Sequence, residues 1–306
     1  MTTGNGQVRE GTVFDLGYRR YDGPREGRNR ARTAVYVDGI RIAMGIGRGG
    51  RAKILPWLFV IVAIAIGLIM ALIAGAVDRF AGAGTAEAVD LPSHSDYYSI
   101  AGLLLFLFAA VVGPELLCPD RHNKVVNLYL VRPITGVDYV SARWLAFLTI
   151  MLVVAWLPQV VLLAGLAFGA PHPGDYLVDH WDNIPKFLAA GAAIAIYSTS
   201  MGLAVAAFTT RRGYASVGLV GLLIISQMAS GILGSSLTGS AAEWLSLVSL
   251  SDIPLHINEI VFDTTDSLGG GQAARDLPTA VRIGAFFIVT LVAMAVLWNR
   301  YRRLSV

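Results

Sequence analysis

Six long runs of apolar residues, separated by polar segments, set the pattern of the chain. Each run has about the 20 residues that an α-helix needs to cross the hydrocarbon core of a bilayer. The pattern therefore predicts an all-α fold, a polytopic membrane protein with six transmembrane helices. The runs cover residues 54–77, 97–118, 144–168, 184–208, 215–237 and 279–298.

The polar ends of the chain predict one further element. In the N-terminal segment, residues 1–53, the side chains Val37, Ile40 and Met44 fall on one side of a helix and polar residues occupy the other sides. This spacing predicts a short amphipathic helix that lies in the membrane interface. Residues 299–306 form a short polar tail after the sixth span.

Two connecting segments are unusually apolar. Residues 119–143, between spans two and three, form a semi-apolar loop that is too short to cross a bilayer. The segment 238–278, between spans five and six, contains the apolar stretches Trp244–Leu250 and Ile253–Phe262. We expect these stretches to form short helices on the outer face of the membrane.

The placement of basic residues predicts the orientation. With the N-terminus in the cytoplasm, 20 of the 24 lysine and arginine residues lie in inner segments. Inner loops of membrane proteins carry such an excess of basic residues. We therefore expect a multi-pass protein of the cell membrane with both termini in the cytoplasm.

Composition supports a membrane protein and narrows the function. Hydrophobic residues make up 55% of the chain and charged residues 15%, whereas soluble domains carry about 25% charged residues. The basic residues cluster at the edges of apolar runs, which favours membrane topology over nucleic-acid binding. The single cysteine, Cys118, excludes an intrachain disulfide.

No enzymatic motif is present. The sequence lacks a glycine-rich loop ending in Gly-Lys-Ser/Thr, so ATP is not bound in that manner, and it lacks His-Glu-x-x-His. We predict no catalytic residues, no cofactor and no metal ligands in this chain. The loop residues His172, Asp175, Asp179, His180 and Asp182 offer donors for an external cation site, but a solvated loop is the default interpretation.

Ionisable residues are nearly absent from the predicted spans, which argues against ion pumping. The exception is Glu115, which follows Gly113 and Pro114 near the inner end of span two. A proline bends a helix, so these three residues predict either a kinked gate with a carboxylate at its mouth or an ordinary helix end.

Small and polar residues in the spans have two interpretations. Ser226, Gln227 and Ser230 in span five either line a transport path or join helices, and joining helices is the commoner role. The pair Gly165 and Gly169 has the spacing that permits close contact with another helix.

The loop between spans two and three resembles that of the permease subunits of type-2 ABC exporters. Those subunits carry an acidic residue, a Leu-Tyr-Leu segment, an Arg-Pro-hydrophobic-Ser/Thr segment and a basic residue that opens span three. The corresponding residues here are Asp120, Leu128-Tyr129-Leu130, Arg132-Pro133-Ile134-Thr135 and Arg143. One departure is Lys124-Val125, where family members often have Gly-Thr and the glycine marks a turn.

The resemblance implies that this chain is a transport subunit and not itself an enzyme. Two permeases, identical or homologous, would work with two cytoplasmic ABC ATPase subunits that hold ATP and Mg²⁺. A helix in the 119–143 loop would seat on the ATPase, with Val125, Leu128, Tyr129 and Val131 on its apolar face and Arg121 and Arg132 at the acidic rim of the partner.

Two alternatives remain open. An ion-coupled secondary transporter of inverted repeats predicts paired broken helices, and span five lacks a proline to match Pro114. A non-transporting anchor or assembly protein is the other alternative. The transported substrate is not indicated by the sequence.

Overall fold

The computed structural model of the protein describes residues 27–47, 49–80, 92–125, 134–236, 240–264 and 277–303. All regular elements within these ranges are helices, ten in number. Six of them are long and apolar enough to cross a membrane. The predicted all-α fold with six spans is therefore confirmed.

The six long helices follow the six apolar runs in order. They are α2 (Gly50–Phe80), α3 (His94–His122), α4 (Gly136–Gly169), α6 (Asn183–Ala206), α7 (Arg212–Ser236) and α10 (Thr279–Arg302). The four shorter helices are α1 (Arg28–Ala43), α5 (Pro173–Asp179), α8 (Ser240–Ser246) and α9 (Ile253–Phe262).

The connection between α3 and α4 is shorter than the sequence predicts. The predicted loop covered 119–143, whereas α3 continues to His122 and α4 begins at Gly136, which leaves residues 123–135. The reason is local. Thr135 and Asp138 form a capping box, in which each side chain accepts a hydrogen bond from the backbone N–H of the other residue. This cap starts α4 well before its apolar run.

The predicted N-terminal helix is present as α1, but its buried side differs from the predicted apolar side. The buried residues are Val35, Gly39 and Ala43, one helical turn apart, and they pack against α4. Val37, which was placed on the apolar face, is 38% exposed. The small residue Gly39 allows the close approach, since a Cβ there would lie 2.7 Å from the Cβ of Ala146.

Three helices form the centre of the bundle. In the most apolar 18-residue stretch of each helix, about two-thirds of the residues of α3 and α6 are buried, and half of those of α4. Helices α1 and α2 pack on α4, α7 packs on α3, and α10 packs on α6 and α4. The predicted small-residue contact is confirmed, because Gly165 and Gly169 of α4 meet Ala71 and Gly75 of α2.

Helix α9 is the short helix that the sequence predicts at Ile253–Phe262, between spans five and six. It packs between α6, α10 and α3, and Leu255 contacts the backbone of α3 at Gly102. Its buried residues include the polar side chains His256, Asn258 and Glu259. Asn258 donates a hydrogen bond to the carbonyl of Ser95, and Glu259 pairs with His256 and Arg282. These contacts offset part of the cost of burying the polar side chains.

The segments predicted to lie inside the cell meet at one end of the bundle. Arg143 of α4 pairs with Asp38 of α1 and with Asp120 of α3. The guanidinium of Arg121 reaches the carbonyl of Thr209, between α6 and α7. We refer to this end as the network end and to the end that carries α5 and α9 as the opposite end.

Candidate functional site

The network end is organised around a fully buried arginine. The side chain of Arg143 has no exposed surface, and one of its terminal nitrogens lies 2.9 Å from a carboxylate oxygen of Asp38 and 2.8 Å from one of Asp120. Tyr139, one turn earlier on α4, donates a hydrogen bond of 2.6 Å to the same Asp120 oxygen. The guanidinium carbon of Arg143, Cζ, lies over the Tyr139 ring, 5.4 Å from the ring centroid.

This cluster, which we call the Arg143 network, joins four helices. Asp38 lies on α1, Asp120 on α3, and Tyr139 and Arg143 on α4. Tyr301 of α10 completes it by stacking on Tyr139, with the ring centroids 5.8 Å apart. A buried charge is tolerated when it is paired and hydrogen-bonded, and the two carboxylates supply that pairing. The network therefore fixes the relative positions of these four helices at one end.

The start of α4 has a second set of charge contacts. Arg28 and Arg32 of α1 donate hydrogen bonds to the two carboxylate oxygens of Asp138, at 2.8 Å and 2.9 Å. Asp138 is also the acidic partner of the Thr135 cap. One carboxylate thus caps α4 and attaches it to α1, so the downstream end of the 123–135 connection is held in place.

The upstream end of the connection is held by Arg121. Its guanidinium donates to the backbone carbonyls of Ala207 and Thr209, which follow the end of α6. A cation at this position interacts favourably with the exposed carbonyls of a helix C-terminus. Arg121, which was predicted to reach the acidic rim of a partner, thus contacts the end of α6 in this structure.

The turn after α3 forms without the glycine typical of the resembling family. Lys124 has φ of 56°, a left-handed conformation that glycine adopts without strain. The backbone N–H of Val125 then bonds the carbonyl of Asp120. The departure at Lys124-Val125 therefore keeps a turn at the position where the glycine would place it, at the cost of strain in Lys124.

Most of the predicted coupling residues lie outside the described residues. These are Leu128, Tyr129, Val131 and Arg132. Val125 is described and is half-buried. The apolar helix face assigned to this loop stays a prediction.

The predicted gate residues of span two separate into two environments. Gly113 and Pro114 are buried inside the bundle, where Gly113 faces the ring of Phe147. Glu115 instead forms an ion pair of 2.7 Å with Arg212 at the start of α7. This pair borders two cavities of about 730 Å³ each at the network end. Of the three residues, Glu115 alone lines a cavity at this end, and the gate itself stays a prediction.

The predicted path residues of span five hold the segment after α7 in place. The Ser226 hydroxyl accepts a hydrogen bond of 3.2 Å from the backbone N–H of Leu250, and Ser230 donates one of 3.5 Å to the carbonyl of Ser246. Gln227 is exposed on the outside of α7. The two serines therefore bond α7 to the segment 246–250, and whether span five lines a transport path stays a prediction.

A buried ionisable cluster surrounds α9, and the sequence pattern did not predict it. Glu259 is 3% exposed and His256 is 1% exposed. A carboxylate oxygen of Glu259 lies 3.5 Å from the His256 Nδ1 and 3.5 Å from a guanidinium nitrogen of Arg282 on α10. Asp252, just before α9, is also buried, and burial raises the pKa of its carboxyl.

One sequence signal could have found this cluster. In the otherwise apolar stretch Ile253–Phe262, His256 and Glu259 are three residues apart and thus share a helix face. Two ionisable side chains together on an apolar helix favour a buried, paired environment over a loose surface helix. The partner Arg282 lies in another helix, and no local pattern indicates that contact.

The five loop residues of the proposed external cation site do not assemble one. Asp182 pairs with Lys186 at 2.6 Å, and this contact lowers the pKa of the Asp182 carboxyl. His172 is exposed. Within the described part of the chain, no three histidine, cysteine, aspartate or glutamate residues are grouped so that they could hold a metal ion.

Comparison with known protein families and with curated proteins found no match to this chain.

Proposed function

We propose that the chain is the membrane-spanning permease subunit of an exporter powered by separate ATPase subunits, as in the type-2 ABC exporters that its loop resembles. The observation that carries the proposal is the Arg143 network. It attaches the helices on both sides of the 123–135 connection to α1 through a fully buried charge, and to α10 through the stacking of Tyr301 on Tyr139.

The mechanical argument concerns the two ends of this connection. Arg121 holds its upstream end to α6, and Asp138 holds its downstream end to α1. A connection fixed at both ends passes a displacement to the helices instead of absorbing it. A partner bound at residues 123–135 would therefore move α3 and α4 against the rest of the bundle.

The proposed orientation places the network end in the cytoplasm. The basic side chains Arg28, Arg32, Arg121 and Arg212 contact partners at this end, and inner segments are rich in such residues. ATP and Mg²⁺ would be bound by two ATPase partners, and this chain would supply no catalytic group. A second permease copy would cover part of the apolar surface of the bundle.

The test uses the predicted apolar face of the connection. Replacing Leu128 and Tyr129 together with aspartate should leave insertion and folding intact but reduce recovery of the ATPase chain after purification in mild detergent. Introducing aspartate into an apolar interface is expected to cost several kcal/mol, roughly 2–4 per buried anchor residue. Asn123→Asp, at an exposed position of the same connection, is the matched control and should keep the ATPase bound.

The result decides between the proposal and a bland alternative. If the connection only rests on the inner leaflet, the double variant will co-purify with as much ATPase as the control does. That outcome, or the absence of any ATP-binding chain in wild-type preparations, would rule out the permease assignment.

One observation favours a second candidate function, ion-coupled transport. The cluster of His256, Glu259 and Arg282 supplies the buried ionisable residues that ion-coupled transporters use. Under this alternative, purified protein without any ATPase partner would take up protons upon substrate binding, and Glu259→Gln would remove the uptake. Under the permease proposal, the same cluster attaches α9 to α10 and binds no transported ion.

A further inference from the structure

The two cavities at the network end are parts of one cleft. Each has a volume of about 730 Å³, and both are lined by Ala52 of α2, Glu115 of α3, and Arg212 and Gly213 of α7. Because they share these four residues, the cavities are adjacent and meet at the ion pair of Glu115 and Arg212. We call the two cavities together the α2–α7 cleft.

One half of the cleft is mainly apolar. Leu55 and Pro56 of α2 line it from one side, and Val111 and Val112 of α3 line it from another. The two valines lie about one helical turn farther from the network end than Glu115. Apolar walls at this depth favour a hydrocarbon chain over a hydrated ion, since contact with the chain removes apolar surface from water.

The other half of the cleft is polar and basic. Arg211 and Arg212 line it, together with the carboxylate of Glu115. Arg212 pairs with this carboxylate at 2.7 Å, yet 69% of its side chain stays exposed. Arg211 is exposed as well, and its guanidinium carbon lies 5.9 Å from the centroid of the Tyr214 ring. Two guanidinium groups against one carboxylate leave a net positive charge, and the histidine in the lining, His122, can only add to it.

The apolar half is accessible from the side of the bundle. Helix α2 packs on α4 and α3, and α7 packs on α3, but within the described part of the chain α2 and α7 do not pack extensively on each other. In the most apolar 18-residue stretch, only 28% of the residues of α2 and 17% of those of α7 are buried. Leu55, at the wall of the cleft, is 51% exposed. Lipid chains around the bundle therefore have a lateral route into the cleft.

We propose that the α2–α7 cleft binds one phospholipid with a net negative headgroup, such as phosphatidylglycerol. The phosphate lies against Arg211 and Arg212, and an acyl chain lies along Leu55 and Val112. Guanidinium groups form strong charge-assisted hydrogen bonds with phosphate oxygens. Basic residues at a membrane surface also attract anionic headgroups.

The two halves of the cleft together select this ligand. A soluble anion leaves the apolar half unfilled, and a zwitterionic lipid leaves the net positive charge uncompensated. An anionic phospholipid fills one half with its chain and neutralises the other with its phosphate. The site needs no ATPase partner, and it includes no residue of the Arg143 network.

Native mass spectrometry of the full chain in detergent tests this site. The protein is titrated with phosphatidylglycerol and with phosphatidylcholine of the same acyl chains. Wild type should bind one phosphatidylglycerol about fivefold more tightly than phosphatidylcholine, which is the contribution of one net positive charge beside an anionic headgroup. Equal affinity for the two lipids in wild type would overturn the proposal.

Arg211→Gln removes the net charge but leaves the ion pair of Glu115 and Arg212 intact, so the fold should be kept. The affinity for phosphatidylglycerol should fall about fivefold, to that for phosphatidylcholine. The control is the double variant Arg300→Gln and Arg303→Gln, which removes two exposed arginines that line neither half of the cleft. The control should keep the wild-type preference. An unchanged preference in Arg211→Gln, or an equal loss in the control, would contradict the assignment.

Two further measurements separate a lipid from a soluble anion. Ser216 is half-buried and lines the apolar half, so Ser216→Trp fills that half and should weaken the binding of both lipids. Glycerol phosphate carries the anion without the chains and should not displace phosphatidylglycerol from wild type when it is added in excess. Displacement by glycerol phosphate, or wild-type binding of both lipids in Ser216→Trp, would show that no acyl chain occupies the cleft and would refute the proposal.

Discussion

Replacing Arg143 with methionine tests the network that holds the four helices together. Methionine keeps most of the length and apolar volume of the arginine side chain but removes its charge. Asp120 and Asp38 then lose the cation that lies 2.8 Å and 2.9 Å from them. The loss of stability depends on how well water can replace that cation at each carboxylate.

The two carboxylates differ in exposure. The Asp120 side chain is 14% exposed, so in Arg143→Met its carboxylate is a nearly buried charge without a cation. Breaking a buried ion pair in this way costs about 3–5 kcal/mol of stability. The Asp38 side chain is 45% exposed, so water screens it and its share is about 0–1 kcal/mol. Arg143→Met should therefore destabilise the protein by about 3–5 kcal/mol.

Thermal unfolding in detergent, followed by the recovery of monodisperse protein, measures this loss. A change of 1 kcal/mol shifts Tm by about 2–4 °C in domains of 150–250 residues, so Arg143→Met should melt about 6–20 °C below wild type. Arg300→Met removes an exposed arginine from α10 and should change stability by about 0.5 kcal/mol or less.

A double variant separates the charge effect from lost packing. Adding Asp120→Asn to Arg143→Met removes the stranded carboxylate, so the double variant should recover about 0.5–3 kcal/mol relative to Arg143→Met. If Arg143→Met has the same Tm as the Arg300→Met control, the buried pair does not stabilise the fold. If the double variant is less stable than Arg143→Met, the charge argument is wrong and side-chain packing is the cause.

Two further predictions concern Lys124 and Asp252. Lys124→Gly relieves the backbone strain of a residue at φ 56°. After the entropy cost of glycine, the variant should be more stable than wild type by about 0.5–1 kcal/mol. Asn123→Gly should not gain stability, and equal Tm changes in the two variants would count against strain at Lys124. The Asp252 carboxyl has a raised pKa from burial, so the wild-type fold is favoured below the ordinary pKa of aspartate and loses stability as the pH rises through the raised value. Asp252→Asn should therefore have a higher Tm than wild type at pH 7, and the difference should shrink toward pH 4. The carboxyl pKa of Asp182 is lowered, so Asp182→Asn should show no such gain in melting scans across this range.

The spans were predictable because each apolar run has the length that a bilayer requires, and length and apolarity are properties of a single segment. Their ends were less accurate. Asp138 and Arg143 seemed to belong to a loop because charged residues disfavour a span, but both lie in α4, where ion pairs compensate for them. Helix ends follow capping and pairing, and pairing depends on residues far away in the sequence.

The Arg143 network was not predictable for the same reason. Asp38, Asp120 and Arg143 were each visible as charged residues near apolar runs, but nothing local indicates that they meet. The close contact of Gly165 and Gly169 with another helix was predictable, since small residues at this spacing form a flat surface on one helix face. The partner helix, α2, was not.

The contacts that position α7 differ from those of the other long helices. Lipid chains are as apolar as leucine, so burial of apolar surface gives a membrane helix little preference among neighbours. Small residues let α2 and α4 pack closely, and the Arg143 network holds α1, α3, α4 and α10 together. In the most apolar 18-residue stretch of α7, only 17% of the residues are buried within the described part of the chain. One side of α7 nevertheless packs on α3. Its polar contacts are few: Arg212, its first residue, pairs with Glu115, and Ser226, just past its middle, accepts a hydrogen bond from the backbone of Leu250. The position of α7 therefore depends on these polar contacts together with its packing on α3, α6 and α8.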